Sequence, residues 1–325
     1  MDSKLKRMLL SHVSPDSIQS SERIQSLWSG YGELLKVYLS NTTNKSIIVK
    51  HVMAPSQNNH PRGWNSNLSH LRKLKSYQVE LHFYQHFAAN SKDARVPLHL
   101  WSDVLDNEFV LALEDLTING FPCVLHSVNS THIEACIQWL ANFHAAFLGI
   151  KPDGLWKTGT YWHLDTRPEE LDVLKDEGLK KAAVDIDRRL NECAIQTLVH
   201  GDAKLANFCF SEDGRDVAAV DFQYVGGGCG MKDLAYFVGS CLSEQESEAL
   251  EGHILDLYFN YLGEALTQYD SQWTVDAIRN EWQPLYRVAW ADFHRFLKGW
   301  SPQHWKINDY SERICRDVIL TLDKA

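Results

Sequence analysis

Residues 198–210 read LVHGDAKLANFCF, and a second apolar run, VAAVDFQYV, begins at Val217. Two short apolar segments this close in sequence leave little choice but to pair as a hairpin, and Asp213-Gly214 between them supplies the turn. Asn207 lies seven residues before Gly214 and Asp221 seven after it. A three-residue loop centred on Gly214 predicts that these two face each other, with Cβ atoms about 4.5–5.5 Å apart. Two oxygen donors at that spacing can share one hard cation, and Mg2+ favours one or two carboxylates completed by phosphate oxygens. Asp202, five residues before Asn207, sits in the entering loop and is placed to act as a base. The same residue types also favour plain turns. Against that, Asp221 falls within an apolar run, where an unpaired carboxylate is costly.

Bulk properties narrow the classes. The chain has 325 residues, 44% of them hydrophobic and 23% charged, enough for about two domains with real cores. A formal net charge of −10 argues against a nucleic-acid partner. No 18-residue apolar run is present, so no membrane span is expected, and the start has too short an apolar stretch for a secretory signal. The seven cysteines are scattered without C-x-x-C spacing, which fits a reducing, cytoplasmic setting and gives no zinc site. No exposed apolar repeat assigns an oligomeric state.

The first half reads as strands plus one helix. Residues 21–54 alternate as strands around the turn NTTNK, 55–75 are loop-like, and 76–90 are helical with Val79, Phe83 and Phe87 on one face. FVLALEDL, residues 109–116, is another strand. From about residue 117 the pattern turns helical. Thr131 and Glu134 form a T-x-x-E capping box, followed by Ile133, Ile137, Leu140, His144 and Phe147 on one face. The reading is an α+β, two-lobed chain: a small β-rich lobe, 1–116, and a larger, mainly helical lobe, 117–325.

HGDAKLAN followed by VDFQ resembles the H-x-D-x-x-x-x-N and Asp-Phe-Gly pair of the protein-kinase-like superfamily. The H-G-D form is similar to the aminoglycoside phosphotransferase and choline kinase branch. With KDLAYF at 232–237 it looks most like the ecdysteroid kinase-like group. The resemblance spans roughly residues 25–305 and implies a bilobal kinase-like fold, ATP and Mg2+ as cofactors, and a small-molecule hydroxyl as acceptor. It assigns Asp202 as the catalytic aspartate, Asn207 and Asp221 as magnesium ligands, and His200 and Asp233 as braces of the loop. In the first lobe it implies Lys50 as the phosphate-anchoring lysine and Glu80, thirty residues on, as its ion-pair partner. Glu114, Asp115 and Leu116 resemble the hinge that meets adenine through its backbone. Gly30 and Gly32 stand where a glycine loop would cover the phosphates.

Three departures matter. Lys204 stands where small-molecule kinases of this type usually have histidine, and becomes a second candidate phosphate contact. Gln223 replaces the glycine of Asp-Phe-Gly. Only eleven residues separate Asp221 from Asp233, with no Ala-Pro-Glu, which argues against a protein substrate. A protein kinase, a nucleotide-binding scaffold without catalysis and a metallophosphatase are the competing readings; the last lacks its histidine motifs.

Two stretches stay open. Gly226, Gly227, Gly228 and Gly230 suit either a flexible turn or a close backbone approach to substrate. Residues 290–308 hold Trp290, Phe293, Phe296, Trp300 and Trp305 with Asp292, His294 and Arg295 between them. Helical spacing makes this a core helix. The resemblance adds that C-terminal helices build the acceptor pocket, so Trp290, Asp292, Arg295 and Trp300 are its candidates. An aromatic pocket suits an apolar alcohol or a quaternary ammonium compound.

Overall fold

The computed structural model describes residues 3–14, 17–27, 30–53, 67–105 and 108–322. Its N-terminal part is a five-stranded antiparallel sheet in the order β1-β2-β3-β5-β4. The strands are β1 (Ile18–Ser26), β2 (Gly32–Leu39), β3 (Ser46–Met53), β4 (His99–Leu105) and β5 (Glu108–Glu114). Period-two alternation divides the two faces. Ile47 and Val49 of β3, with Val110 and Ala112 of β5, pack against Leu5, Met8 and Leu9 of helix α1 (Ser3–Leu10). Val52 packs instead with Tyr77 of α2 (Asn67–His86), while Leu111 and Leu113 join Val79 and Phe83 of that helix in the large core. Lys50 shares the α2 face with Val52. A central strand buried on both faces thus carries one lysine.

Helix α2 begins at Asn67, nine residues earlier than its apolar spacing predicts; in its first turns Leu68, Leu71 and Lys75 are exposed and the side chains between them are half-buried, so no apolar face marks its start. Part of the expected loop, residues 54–66, lies outside the described residues.

The remainder is mainly helical. Helix α3 (Ser130–Ala146) buries Ile137, Leu140 and His144 as the spacing predicts. Its cap differs: Asn129 is the N-cap and His132 completes the capping box, so Thr131 lies one position inside the helix and Glu134 turns to Tyr261. Helices α4 (Pro168–Asp172), α5 (Glu177–Asn191), α6 (Met231–Cys241), α7 (Glu244–Gln268), α8 (Val275–Trp282), α9 (Leu285–Trp300) and α10 (Asp309–Leu322) follow. Helix α9 is packed between α4, α5, α6, α8 and α10, which explains an aromatic residue on nearly every side of it.

Three small pairings hold the middle of the chain. β6 (Cys123–Val124) joins β8 (Phe208–Phe210) and β9 (Val217–Ala219), while β7 (Thr197–Val199) pairs with β10 (Gly226–Gly228). The glycines of β10 answer the open question in a third way. A Cβ at Gly226 would meet the Trp156 carbonyl oxygen at 2.2 Å, and one at Gly227 the Lys157 carbonyl at 2.7 Å. Gly226 and Gly227 are small because a neighbouring backbone lies on the strand, so this part of the stretch is a paired strand and not a loose turn.

Candidate active site

The β8–β9 hairpin exists, but its register is one residue from the expected one. Phe208 pairs with Ala219 and Phe210 with Val217. The last rung is the Val220 amide donating to the Asn207 carbonyl at 2.9 Å, so Asn207 faces Val220. The turn holds four residues between Ser211 and Asp216, whose backbones bond at 2.9 Å. Asp221 lies just past β9 with a positive φ of 69°, a left-handed conformation that Asp tolerates better than most residues. The chain therefore leaves the hairpin at Asp221. That resolves the cost of a carboxylate in an apolar strand.

Asp221 meets the first half of the chain. Lys50 Nζ donates to Glu80 Oε2 at 2.6 Å and to Asp221 Oδ1 at 3.1 Å. Burial alone would lower the Lys50 pKa, but Asp221 and Glu80 together raise it. Burial raises Glu80, with Lys50 offsetting part of the effect. Burial also opposes ionisation of Asp221, yet Lys50, Lys73 and Lys204 hold its carboxyl well below the usual range.

Gln223 completes this corner. Its amide Nε2 donates to Asp221 Oδ1 at 2.8 Å, and its Oε1 accepts from Lys73 at 2.9 Å and Ser76 at 3.1 Å. A glycine here could do none of this. Lys73, Ser76 and Tyr77 were not singled out from the sequence. The available signal was their spacing on α2: residues 73, 77 and 80 share the helix face that carries Glu80.

The entering loop is braced from behind. The His200 and Gly201 amides donate to Asp233 Oδ2 and Oδ1 at 2.6 and 2.9 Å. His144 Nε2 meets Asp233 Oδ2 at 3.2 Å, a partner hidden in the sequence because His144 sits among core residues of α3. The His200 ring bridges the loop, Nε2 donating to the Val220 carbonyl at 3.0 Å and Nδ1 accepting from the Asp202 amide at 3.2 Å. With both ring nitrogens committed, His200 is a brace and has no free position for base chemistry. Phe222 stacks on Phe83 with centroids 4.2 Å apart and lies 4.5 Å from the His200 ring, joining both halves of the site.

Asp202 is buried, and its two oxygens differ. Oδ2 accepts from Lys204 at 2.8 Å and Asn207 Nδ2 at 3.0 Å. Oδ1 is buried without a hydrogen-bond partner. Burial raises the Asp202 pKa, Lys204 offsets this, and Asp221 adds to it. Two neighbouring carboxyls are thus shifted in opposite directions, Asp202 upwards and Asp221 downwards.

Other expected residues stand apart from this cluster. Glu114 is spent on Arg95 and on the Leu98 amide at 2.7 Å. Asp115 caps the following turn through the Thr117 amide at 3.0 Å and pairs with Lys36 at 2.8 Å. Any contact with a base at 114–116 would therefore come from backbone. Gly32 pairs with Val52, and a Cβ there would meet the His51 carbonyl at 2.0 Å, so close strand packing already demands that glycine. Gly30 adopts a φ of 75° in the β1–β2 turn; Trp28 and Ser29 beside it lie outside the described residues.

In α9, Trp290 belongs to the core, edge-on to Tyr310 at 5.6 Å. Asp292 and Arg295 are fully buried and bond each other at 2.9 Å. Asp292 also accepts from Trp162 Nε1 at 2.9 Å, so both act as framework. Trp300 stacks on Phe296 at 5.9 Å, in a second aromatic cluster with Trp162, Tyr236 and Phe293. Trp305 is exposed.

The donors Asn207 and Asp221 fit a hard divalent cation by chemistry: one amide oxygen and one carboxylate held ionised. Both observed hydrogen bonds to the Asp221 side chain fall on Oδ1, which leaves Oδ2 for a metal. Among the described residues no cluster of three His, Cys, Asp or Glu side chains forms a fuller cage, and no helix is long and apolar enough to cross a membrane.

Residues 159–271 match the family model described as ecdysteroid kinase-like, a segment that contains Asp202, Asn207, Asp221 and Asp233 and excludes Lys50 and Glu80. No curated protein matches the sequence. Among solved structures, the chain is similar to a microcompartment-associated aminopropanol kinase with a TM-score of 0.53 at 16% identity, covering 99% of this chain and 98% of that one. It is also similar to an ethanolamine kinase of Plasmodium vivax with a TM-score of 0.50 at 14% identity, covering 99% and 91%. These likenesses carry the fold. The chain has the kinase-like fold of these structures, and residues 159–271 are similar to the ecdysteroid kinase-like family.

Proposed function

We propose that this chain is an ATP- and Mg2+-dependent phosphotransferase whose acceptor is the hydroxyl of a small molecule such as a sterol, an amino alcohol or an aminoglycoside-like compound. The observation that carries the reading is the asymmetry of Asp202. One oxygen is tethered by Lys204 and Asn207, and the other is buried without a well-formed hydrogen bond, with the Tyr236 hydroxyl near the carboxyl. An acceptor hydroxyl would satisfy that second oxygen, which would orient it and take its proton as the new O–P bond forms and the bond between the γ-phosphorus and the β-phosphate oxygen breaks, releasing ADP. Such positioned proton transfer contributes about 10²–10⁴-fold.

Lys50, fixed by Glu80, would neutralise nucleotide phosphate, and Lys204 would add charge next to the acceptor. Asn207 and Asp221 would hold Mg2+, which when bound neutralises phosphate charge. Lys73 sits close enough for Asp221 and Asp202 to act on it. Phosphoryl transfer asks a protein mainly for this positioning and charge. A small acceptor is supported by the short connection after Phe222, which closes into β10 against β7 and leaves no long segment to dock a peptide.

The test is turnover of Asp202→Asn. An alcohol panel covering sterols, sugars, amino alcohols and aminoglycosides is screened for stimulated ADP release, with the product confirmed by mass. The variant should lose at least about 100-fold in kcat while its ATP affinity holds. Full turnover by the variant on an identified acceptor would overturn the mechanism.

A further inference from the structure

Lys306, in the loop between α9 and α10, has no place in the machinery above. Its Nζ lies 5.1 Å from the centroid of the Tyr236 ring, 5.5 Å from Phe293 and 5.6 Å from Trp305. Among the described residues it forms no ion pair with a carboxylate. After burial, Cys241 and then Asp202 act to raise its pKa, while Lys204 acts in the opposite sense. Tyr236 links the two places: its hydroxyl pKa is raised by burial, then by Tyr161, which it meets at 3.2 Å, and by Asp202, whose carboxyl lies near it. Lys306 is thus an ammonium set against aromatic faces, one of which, Tyr236, neighbours the candidate base. Burial lowers its pKa to about 8, so it is still mostly charged at neutral pH.

Aromatic faces next to a reaction centre are what a protein uses to hold an ammonium ligand. Here the chain supplies the ammonium itself. We infer that Lys306 is a specificity-determining residue: it fills the place a substrate ammonium would take, which narrows the acceptor classes proposed above to uncharged or anionic alcohols and rejects the amino alcohols and aminoglycosides among them. This rests on the phosphotransfer reading above. Rejection follows from two effects, occupation of the rings and repulsion between like charges in a partly desolvated site. The aminopropanol and ethanolamine kinases that share the fold are named for acceptors carrying an amine, which this chain would exclude.

Two measurements on the full chain test it. In the first, tetramethylammonium chloride is titrated against wild type, Lys306→Met and Lys306→Arg at constant ionic strength, followed by tryptophan fluorescence. Lys306→Met should bind it at least about tenfold more tightly than wild type, and Lys306→Arg should exclude it again. Equal binding by all three overturns the inference, whatever the catalytic activity. In the second, 1,3-propanediol, 3-aminopropan-1-ol and 3-hydroxypropanoate compete with the acceptor in ADP release. Lys306→Glu should shift preference towards the amine by about tenfold or more, and an unchanged order counts against the inference. ATP affinity of each variant reports that the fold is intact. If the ammonium result holds but no alcohol is ever phosphorylated, the phosphotransfer reading fails and the exclusion stands.

Discussion

Replacing Asp233 by Asn isolates the brace of the candidate catalytic loop, because shape is kept and only charge and acceptor count change. Asp233 Oδ2 receives both the His200 amide and His144 Nε2, and Oδ1 receives the Gly201 amide. An asparagine can point its oxygen at one of these positions only. Its NH2 must then face the other backbone N–H, whichever way it turns. One buried amide loses its acceptor, and the remaining bond loses its charge assistance. Charge-assisted bonds contribute about 1.5–3 kcal/mol and an unsatisfied buried donor costs about 1–3 kcal/mol, so the local loss should be about 2–4 kcal/mol. Amide hydrogen exchange at His200 and Gly201 should accelerate by about 30- to 1000-fold. Exchange at Leu262 and Ala265 of α7, far along the chain in the helical core, should change much less. Turnover should fall with the loop, since Asp202 follows Gly201 directly. Unchanged protection at both amides would refute the argument that Asp233 holds this loop.

Lys204→Ala should slow transfer more than it weakens ATP binding, measured by kcat beside nucleotide affinity; equal losses would remove its special role. Burial lowers Lys73 to about 8, so the free protein sheds this charge as pH rises through 8. Nucleotide affinity should weaken over that range, and Lys73→Met should be weaker at neutral pH with the limb flattened. Gln223→Gly, which restores the residue usual in this motif, deletes the bonds to Asp221, Lys73 and Ser76. It should lower kcat by roughly tenfold, in keeping with about 1.5 kcal/mol for one charge-assisted bond. Gly226→Ala places a methyl group 2.2 Å from the Trp156 carbonyl and should cost about 1–3 kcal/mol in urea unfolding, with β10 as the part that shifts.

Local sequence carried much of this site. The hairpin around Asp213-Gly214, the strand bearing Lys50, the helix bearing Glu80 and the core face of α3 all follow from periodicity and turn chemistry, which depend on neighbours within a few residues. The loop from His200 to Asn207 was legible because its polar residues interrupt apolar runs. The register was not. A four-residue turn instead of three moves every pair by one and places Asn207 opposite Val220. The cap of α3 lies two residues before the Thr131 that the T-x-x-E pattern predicts, at Asn129, whose side chain accepts from the His132 amide.

What the sequence by itself determined is the set of chemical groups and their order: a lysine in a buried strand, a glutamate on the next helix, an aspartate, an asparagine and a second aspartate around one hairpin. What only the tertiary structure decided is how those groups divide the work. Lys50 meets Asp221 across 171 positions of chain, Gln223 reaches Lys73 and Ser76 from 150 and 147 positions away, and His144 finds Asp233 from 89. Contacts at that separation leave no periodicity, because they are set by how sheet, helix and hairpin pack. They leave one Asp202 oxygen tethered and the other without a well-formed hydrogen bond, shift Asp202 and Asp221 in opposite directions, and bring the ammonium of Lys306 against the rings of Tyr236 and Phe293.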